Sequence, residues 1–112
     1  MDQRRMKLDD DLRKLLGISR DDVDYLYFQP PESMKIKYTS KGNAIIYRRK
    51  QIRPIKADDR LYNDRWEYYI TVVTRSPDSD LPQRFYEKFP TASQSPTYVS
   101  NNLYHHPFTL TY

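Results

Sequence analysis

The sequence predicts an α+β domain on a mostly antiparallel sheet, with an N-terminal helix and a second helix packed on that sheet. Three observations support this fold. A leucine-patterned helix opens the chain, strand-like segments then come in runs joined by turn residues, and one short amphipathic segment interrupts them late. Strands grouped in runs, rather than alternating one for one with helices, favour antiparallel pairing over a parallel α/β sheet. A chain of 112 residues holds one domain, residues 1–112. The predicted order is α-β-β-β-β-α-β-β.

Leu8, Leu12, Leu15 and Leu16 fall on one face of a helix predicted over Lys7–Leu16, within an N-terminal helical unit of residues 1–20. Asp9, Asp10 and Asp11 would lie in its first turn and Arg13 and Lys14 in its last, as the helix dipole favours. Gly17 suits the left-handed cap that follows. Ser19-Arg20-Asp21-Asp22 has the shape of a capping box with Asp in place of Glu. Tyr25-Leu26-Tyr27-Phe28 is strand material, giving a first short strand over Asp24–Phe28 that Gln29-Pro30-Pro31 stops.

Met34–Thr39 and Ala44–Lys50 read as two strands around the turn Ser40-Lys41-Gly42-Asn43, with Gly42 at positive φ. Residues 51–63 hold Pro54, Asp58, Asp59 and several cations but too few apolar side chains for a core, so they are predicted as a long loop or an extended hairpin arm. Arg65–Thr74 is the strongest strand. Trp66, Tyr68, Ile70 and Val72 occupy one face and Tyr69, Thr71 and Val73 the other, which predicts a central strand covered on both sides by a helix or a neighbouring subunit.

Ser76-Pro77-Asp78-Ser79 turns the chain into the second helix. There Asp80 and Gln83 form a capping-box pattern, Leu81, Phe85 and Phe89 mark one face, and Pro90 ends it. Thr97–Asn101 and Leu103–Tyr112 are the last two strands, separated from the helix by the polar stretch Thr91–Pro96.

Composition narrows the function. Only 38% of residues are hydrophobic and 30% are charged, yet 14% are aromatic, including 11 Tyr. Disordered chains are poor in aromatics, so this balance indicates a folded domain with a thin aromatic core and much polar or interfacial surface. With no cysteine there is no disulfide framework, thiolate metal site or Cys nucleophile. Two glycines cannot build a Gly-rich phosphate loop. No apolar run approaches the roughly 20 residues of a membrane helix, and the first residues lack a signal peptide's apolar centre. The expectation is a soluble protein, made in the cytoplasm and without a membrane partner.

Charge is concentrated. Residues 35–65 carry ten basic side chains against three acidic ones, a net of +7, whereas the flanking thirds are slightly acidic. Arg48, Arg49, Lys50, Arg53 and Lys56 are therefore the candidate contacts to a protein or DNA partner, and Trp66, Tyr68 and Tyr69 the candidate subunit-interface residues. His105 and His106 are adjacent on a predicted strand, so they point to opposite faces and cannot converge on a metal. No nucleophile elbow frames a serine. No enzymatic activity and no cofactor are expected. Two functional classes remain. One is a small basic nucleic-acid-binding module, because cationic and aromatic residues interleave between Lys35 and Trp66, although no recognised module motif is present. The other is protein assembly, because Tyr and Arg are enriched at interfaces.

The run from Tyr68 to Pro82 (YYITVVTRSPDSDLP) and the closing run from Val99 to Tyr112 (VSNNLYHHPFTLTY) resemble the small tail-completion proteins of long-tailed bacteriophages. In that family a Y-x-V-T-V strand leads through D-P-D-S into a short helix, and an N-L-x-H-x-x-F-T-L strand closes the chain. Phe28-Gln29-Pro30-Pro31 is similar to the family's first strand and its exit, so the likeness spans residues 23–112. One departure is Gly42-Asn43-Ala44 before Ile45-Ile46-Tyr47, where the family usually has Tyr-Pro. The resemblance implies a structural virion protein of the phage neck, either tail terminator or head–tail joining. It would be a homo-oligomeric ring, commonly a hexamer, that caps the tail-tube protein and joins it to the head connector around a channel for DNA. It would reside in the virion, having assembled in the host cytoplasm.

Overall fold

The computed structural model describes residues 3–50 and 67–112. Its first helix, α1 (Gln3–Leu16), begins about a turn before the predicted Lys7. Asp9, Asp10 and Asp11 therefore lie mid-helix and do not serve the N-terminal dipole. Successive helical residues are about 100° apart, so the three carboxylates fan out to different partners. Asp9 accepts from Arg13 Nε at 2.7 Å and from the Tyr47 hydroxyl at 2.7 Å. Asp10 pairs with Arg20 and Asp11 accepts from the Tyr112 hydroxyl at 2.8 Å. Leu8 and Leu12 are fully buried on the stripe that Asp9 and Asp11 flank. At the C-terminus Gly17 has φ +72°, its N–H donates to Lys14 O, and the Ile18 N–H donates to Arg13 O, which together make a Schellman cap.

The capping-box residues after α1 do bond as the sequence suggests, with Ser19 N–H donating to Asp22 Oδ2 at 2.9 Å and Asp21 N–H to Ser19 Oγ at 3.1 Å. They close a turn, and no helix follows. The first strand, β1 (Leu26–Phe28), is shorter than predicted, because Tyr25 and Gln29 on either side both have positive φ.

β1 pairs in parallel with β2 (Asn43–Arg49), Leu26 opposite Ile45 and Phe28 opposite Tyr47. Adjacent parallel strands need a crossover of about a dozen residues or more between them. The segment predicted as a strand over Met34–Thr39 supplies that crossover and is not a strand. It is pinned where Lys37 N–H donates to the Tyr27 hydroxyl at 3.0 Å and Thr39 N–H to Asn43 O at 2.9 Å. Both lateral edges of β2 are already taken, one by β1 and the other by β3 (Glu67–Thr74).

β3 is central, antiparallel to β2 on one side and to β6 (Leu103–Thr111) on the other. Beyond β6 lie two short strands on its outer edge, β4 (Ser93–Gln94) and β5 (Tyr98–Ser100). β4 falls within the polar stretch that sequence reasoning passed over. Asn101 and Asn102, at φ +54° and +63°, form the two-residue turn that joins β5 to β6. The sheet is thus mixed, antiparallel except for β1.

Both helices cover one face. α2 (Leu81–Lys88) buries Leu81 and Phe85, and Phe85 packs between Phe89 at 5.0 Å and Phe108 at 4.4 Å. Tyr47 lies between Phe28 and Tyr68, and burial, with the hydrogen bond to Asp9 second, pushes its phenol well above the usual tyrosine range. The predicted Asp80 side-chain cap does not form; the Leu81 N–H donates to Ser79 Oγ at 3.3 Å instead.

The other face is covered only in part. Tyr27, Ala44 and Val73 are buried there, at the end over which the crossover runs. Tyr69, on the same face of β3, is 44% exposed. At Tyr27, cover on this face comes from the chain's own connection, whose Lys37 N–H reaches the Tyr27 hydroxyl.

Gly17 and Gly42 both have positive φ, but only at Gly42 does an added Cβ meet another atom, Arg75 Cβ at 2.6 Å. Gly17→Ala is expected to cost about 1 kcal/mol, the ordinary left-handed penalty. Gly42→Ala should cost clearly more, because clash adds to strain, and urea unfolding of the two variants compares them directly. A second expectation concerns His106. The Thr74 hydroxyl donates to Ser76 O, so His106 Nε2–H donates to Thr74 and Nδ1 accepts from Thr97. Burial, then neighbouring His105, lowers the His106 pKa below its ordinary value of 6.5. The unfolded chain therefore takes up this proton first as pH falls. The stabilisation is complete above about pH 6.5 and is lost as pH drops through the folded-state value. Thermal midpoints measured from about pH 7.5 to about pH 5 should fall less steeply in His106→Gln than in the parent.

Candidate assembly interface

The sequence singled out a cationic run and an aromatic run separated by the long basic segment. The fold joins their ends. In the β2–β3 ladder Arg48 stands opposite Tyr69 and Arg49 opposite Tyr68. Alternation along each strand then separates the pairs, Arg48 and Tyr69 on the open face, Arg49 and Tyr68 on the helix face. Arg53, Lys56 and Trp66, and the arm predicted over residues 51–63, lie outside the described residues.

The members of this cluster differ in role. Tyr68 is fully buried and packs beside Tyr47, so it is a core residue of the domain and not a surface residue. Lys50 is locally engaged. Its backbone N–H donates to Glu67 O at 2.8 Å, and its ammonium sits 3.0 Å from Glu67 Oε1 and 5.9 Å from the Tyr69 ring centroid. That ion pair is substantially exposed, so it registers the strand ends more than it stabilises them. Arg49 is half-buried, and its backbone N–H donates to the Gln29 side chain at 3.1 Å. Arg48 is exposed and has no ion-pair partner among the described residues.

Arg48 and Tyr69 are therefore exposed cross-strand neighbours on the open face, close to where β2 ends and β3 begins. Aromatic and guanidinium side chains held this way lose little entropy on association, and they dominate the energetics of many interfaces. The same open face carries a second aromatic feature toward the β5 edge. Tyr98, 52% exposed, stacks on His105 with centroids 4.8 Å apart and planes 3° from parallel. Sequence reasoning placed His105 correctly opposite in direction to His106 but had no signal for Tyr98 as a surface group; only the β5–β6 register brings it there.

Among the described residues no group of three or more His, Cys, Asp or Glu side chains is placed to hold a metal ion. No described helix is long and apolar enough to cross a membrane. In comparison with known proteins, no protein-family model matches the chain, and no curated protein or solved structure is significantly similar to it.

The two neighbouring tyrosines give a sharp contrast. Tyr68→Ala should lower unfolding stability by roughly 3–5 kcal/mol, as large aromatic truncations in a core do. Tyr69→Ala should change it by no more than about 0.5–1 kcal/mol. Chemical denaturation of the two variants side by side provides the measurement.

Proposed function

We propose that this protein is a ring-forming structural subunit of a phage neck, acting as a tail terminator that caps the tail tube and joins it to the head connector around the DNA channel. The carrying observation is the asymmetry of the sheet. Helices close one face, while the other presents Arg48 and Tyr69 at one end and the Tyr98–His105 stack at another. The outermost strands also differ, β1 on one side and β4 with β5 on the other. Where two different sides of a subunit meet, the contact is head-to-tail and heterologous, and such contacts generate closed rings when the rotation closes. The likeness of the Tyr68–Pro82 and Val99–Tyr112 runs to tail-completion proteins supplies the identity of the ring.

Dense positive charge on the channel wall would hold DNA phosphates and slow their passage. The cationic end of β2 therefore suits a neighbouring protein, with tail-tube and connector subunits as the partners. The competing reading is a basic nucleic-acid-binding module, supported by the same Arg48–Tyr69 pair, since arginine beside an exposed aromatic also suits a single strand.

Purified protein should form a uniform ring in native mass spectrometry and negative stain, and should decorate the ends of isolated tail tubes. Persistent monomers that leave tube ends bare would exclude the assignment. The competing reading expects tight DNA binding with a steep salt dependence, lost when Arg48, Arg49, Lys50, Arg53 and Lys56 become Glu.

A further inference from the structure

Two surface features of the chain are complementary to each other and lie apart on the subunit. The first is the turn between α1 and β1. Val23 there is 82% exposed, the highest value among the large hydrophobic side chains that the described residues leave in solvent. It is flanked by Asp21, Asp22 and Asp24. The turn is held firmly from beneath, because Arg13 Nη1 donates to Ser19 O at 3.0 Å and to Asp22 O at 2.6 Å. Asp22 is occupied with the Ser19 N–H and Asp24 lies 3.8 Å from Lys37, but the Asp21 carboxylate has no partner among the described residues. An isolated exposed valine is ordinary. A valine raised on a braced turn beside the exposed Asp21 carboxylate is a preformed acidic knob.

The second feature is an open cleft of about 500 Å³ between the start of α1, the end of α2 and the end of β6. Its apolar part is lined by Pro90 and Tyr112 over the buried Phe89 and Leu110, and its rim carries Lys7 and Lys88. Both lysines are exposed and neither has an ionic partner among the described residues. The nearby carboxylate of Asp11 is engaged by the Tyr112 hydroxyl, whose ring forms part of the wall. The volume is within the range of clefts that take small ligands, roughly 300–1,000 Å³. Apolar lining and cationic rim are the inverse of the valine and its aspartate.

The two features cannot meet within one subunit. The knob precedes β1, the outermost strand on one side, and the cleft lies at the end of β6, three strands across the sheet, about 14 Å away at ordinary strand spacing. We propose that the Val23 knob of one subunit docks in the Lys7–Lys88 cleft of a second copy of this chain. Val23 would pack on Pro90 and Tyr112, and the Asp21 carboxylate would meet the two ammonium groups. Because knob and cleft are different patches, the contact is head-to-tail and each subunit uses one of each. The proposal rests on the ring reading only for closure; the contact itself needs no more than self-association.

The test is self-association measured by sedimentation velocity over a concentration series, with circular dichroism melts as a fold control. Val23→Asp should raise the dissociation constant tenfold or more, since it places a charge on an apolar lining, and the Lys7→Glu/Lys88→Glu double variant should do the same through like-charge repulsion. The Val23→Asp melt should be unchanged, because that side chain is solvent-exposed, whereas Lys88→Glu, in the last turn of α2, should lower the melting point slightly and equally with or without Asp21→Lys. Adding Asp21→Lys to the lysine double variant should recover most of the lost association, which a general loss of solubility or folding would not allow. Rings that persist with parent affinity in both Val23→Asp and the double variant would overturn this contact and leave the ring reading intact. A parent protein that stays monomeric at every concentration would overturn both.

Discussion

Parallel pairing of β1 with β2 is the constraint on which much else in the molecule depends. Two adjacent strands running the same way oblige the chain to travel back along the sheet before the second can begin. Residues between Phe28 and Asn43 do so across the face away from the helices, held by the Tyr27 hydroxyl. That path reaches Tyr27, at the end of the face where Ala44 and Val73 are also buried, and the Tyr69 end of the same face stays open. Cover at Tyr27 and exposure of the interface candidate are thus two results of one connection. The tight arrival at Gly42, against Arg75, is its third.

On the opposite face, α1 is oriented by polar as well as apolar contacts. The leucine stripe supplies the burial that drives docking, but a stripe of similar side chains leaves rotation and register loosely defined. Asp9 to Tyr47 and Asp11 to Tyr112 fasten the helix to the second and the last strands of the sheet. Arg5 over the Phe28 ring at 4.4 Å adds a third point near β1. Each is a partly buried contact of a charged group, worth more than a surface ion pair because water competes less. Consecutive aspartates on a helix would otherwise repel one another; distributing them among three separate partners relieves that cost.

A domain so built is unevenly finished. The helix face has a dense aromatic cluster around Phe85 and Tyr47, whereas the open face, the outer strand β5 and the turn at Val23 keep large apolar groups in water. Uneven finishing of this kind suits a component of an assembly, where further burial is supplied by copies or partners. It also accounts for a mean hydropathy of −0.95 beside so many tyrosines. Tyrosine can serve the core with its ring and reach a carboxylate or water with its hydroxyl, as Tyr47 and Tyr112 do.

Local chemistry made a large share of this legible from sequence. The leucine spacing of α1, the glycine stop at Gly17, the apolar face of α2 and the alternation in β3 and β6 are short-range patterns, and they hold in the structure. Where the sequence misled, a nonlocal choice intervened. Met34–Thr39 alternates like a strand, yet both edges of β2, its predicted hairpin partner, were taken by β1 and β3. Ser93–Gln94 has no strand pattern, yet an open edge on β6 pairs with it. Tyr68 and Tyr69 are indistinguishable as residue types; one lies in the core and the other in solvent because strand alternation, once the helices choose a face, leaves no other arrangement. By itself, then, the sequence determined which segments are helical or extended, where charge collects and which chemistries lack the residues to occur. Tertiary structure alone decided which strand edges were available, which face stayed open, and that Arg48 meets Tyr69, because pairing and coverage depend on contacts between residues far apart in the chain.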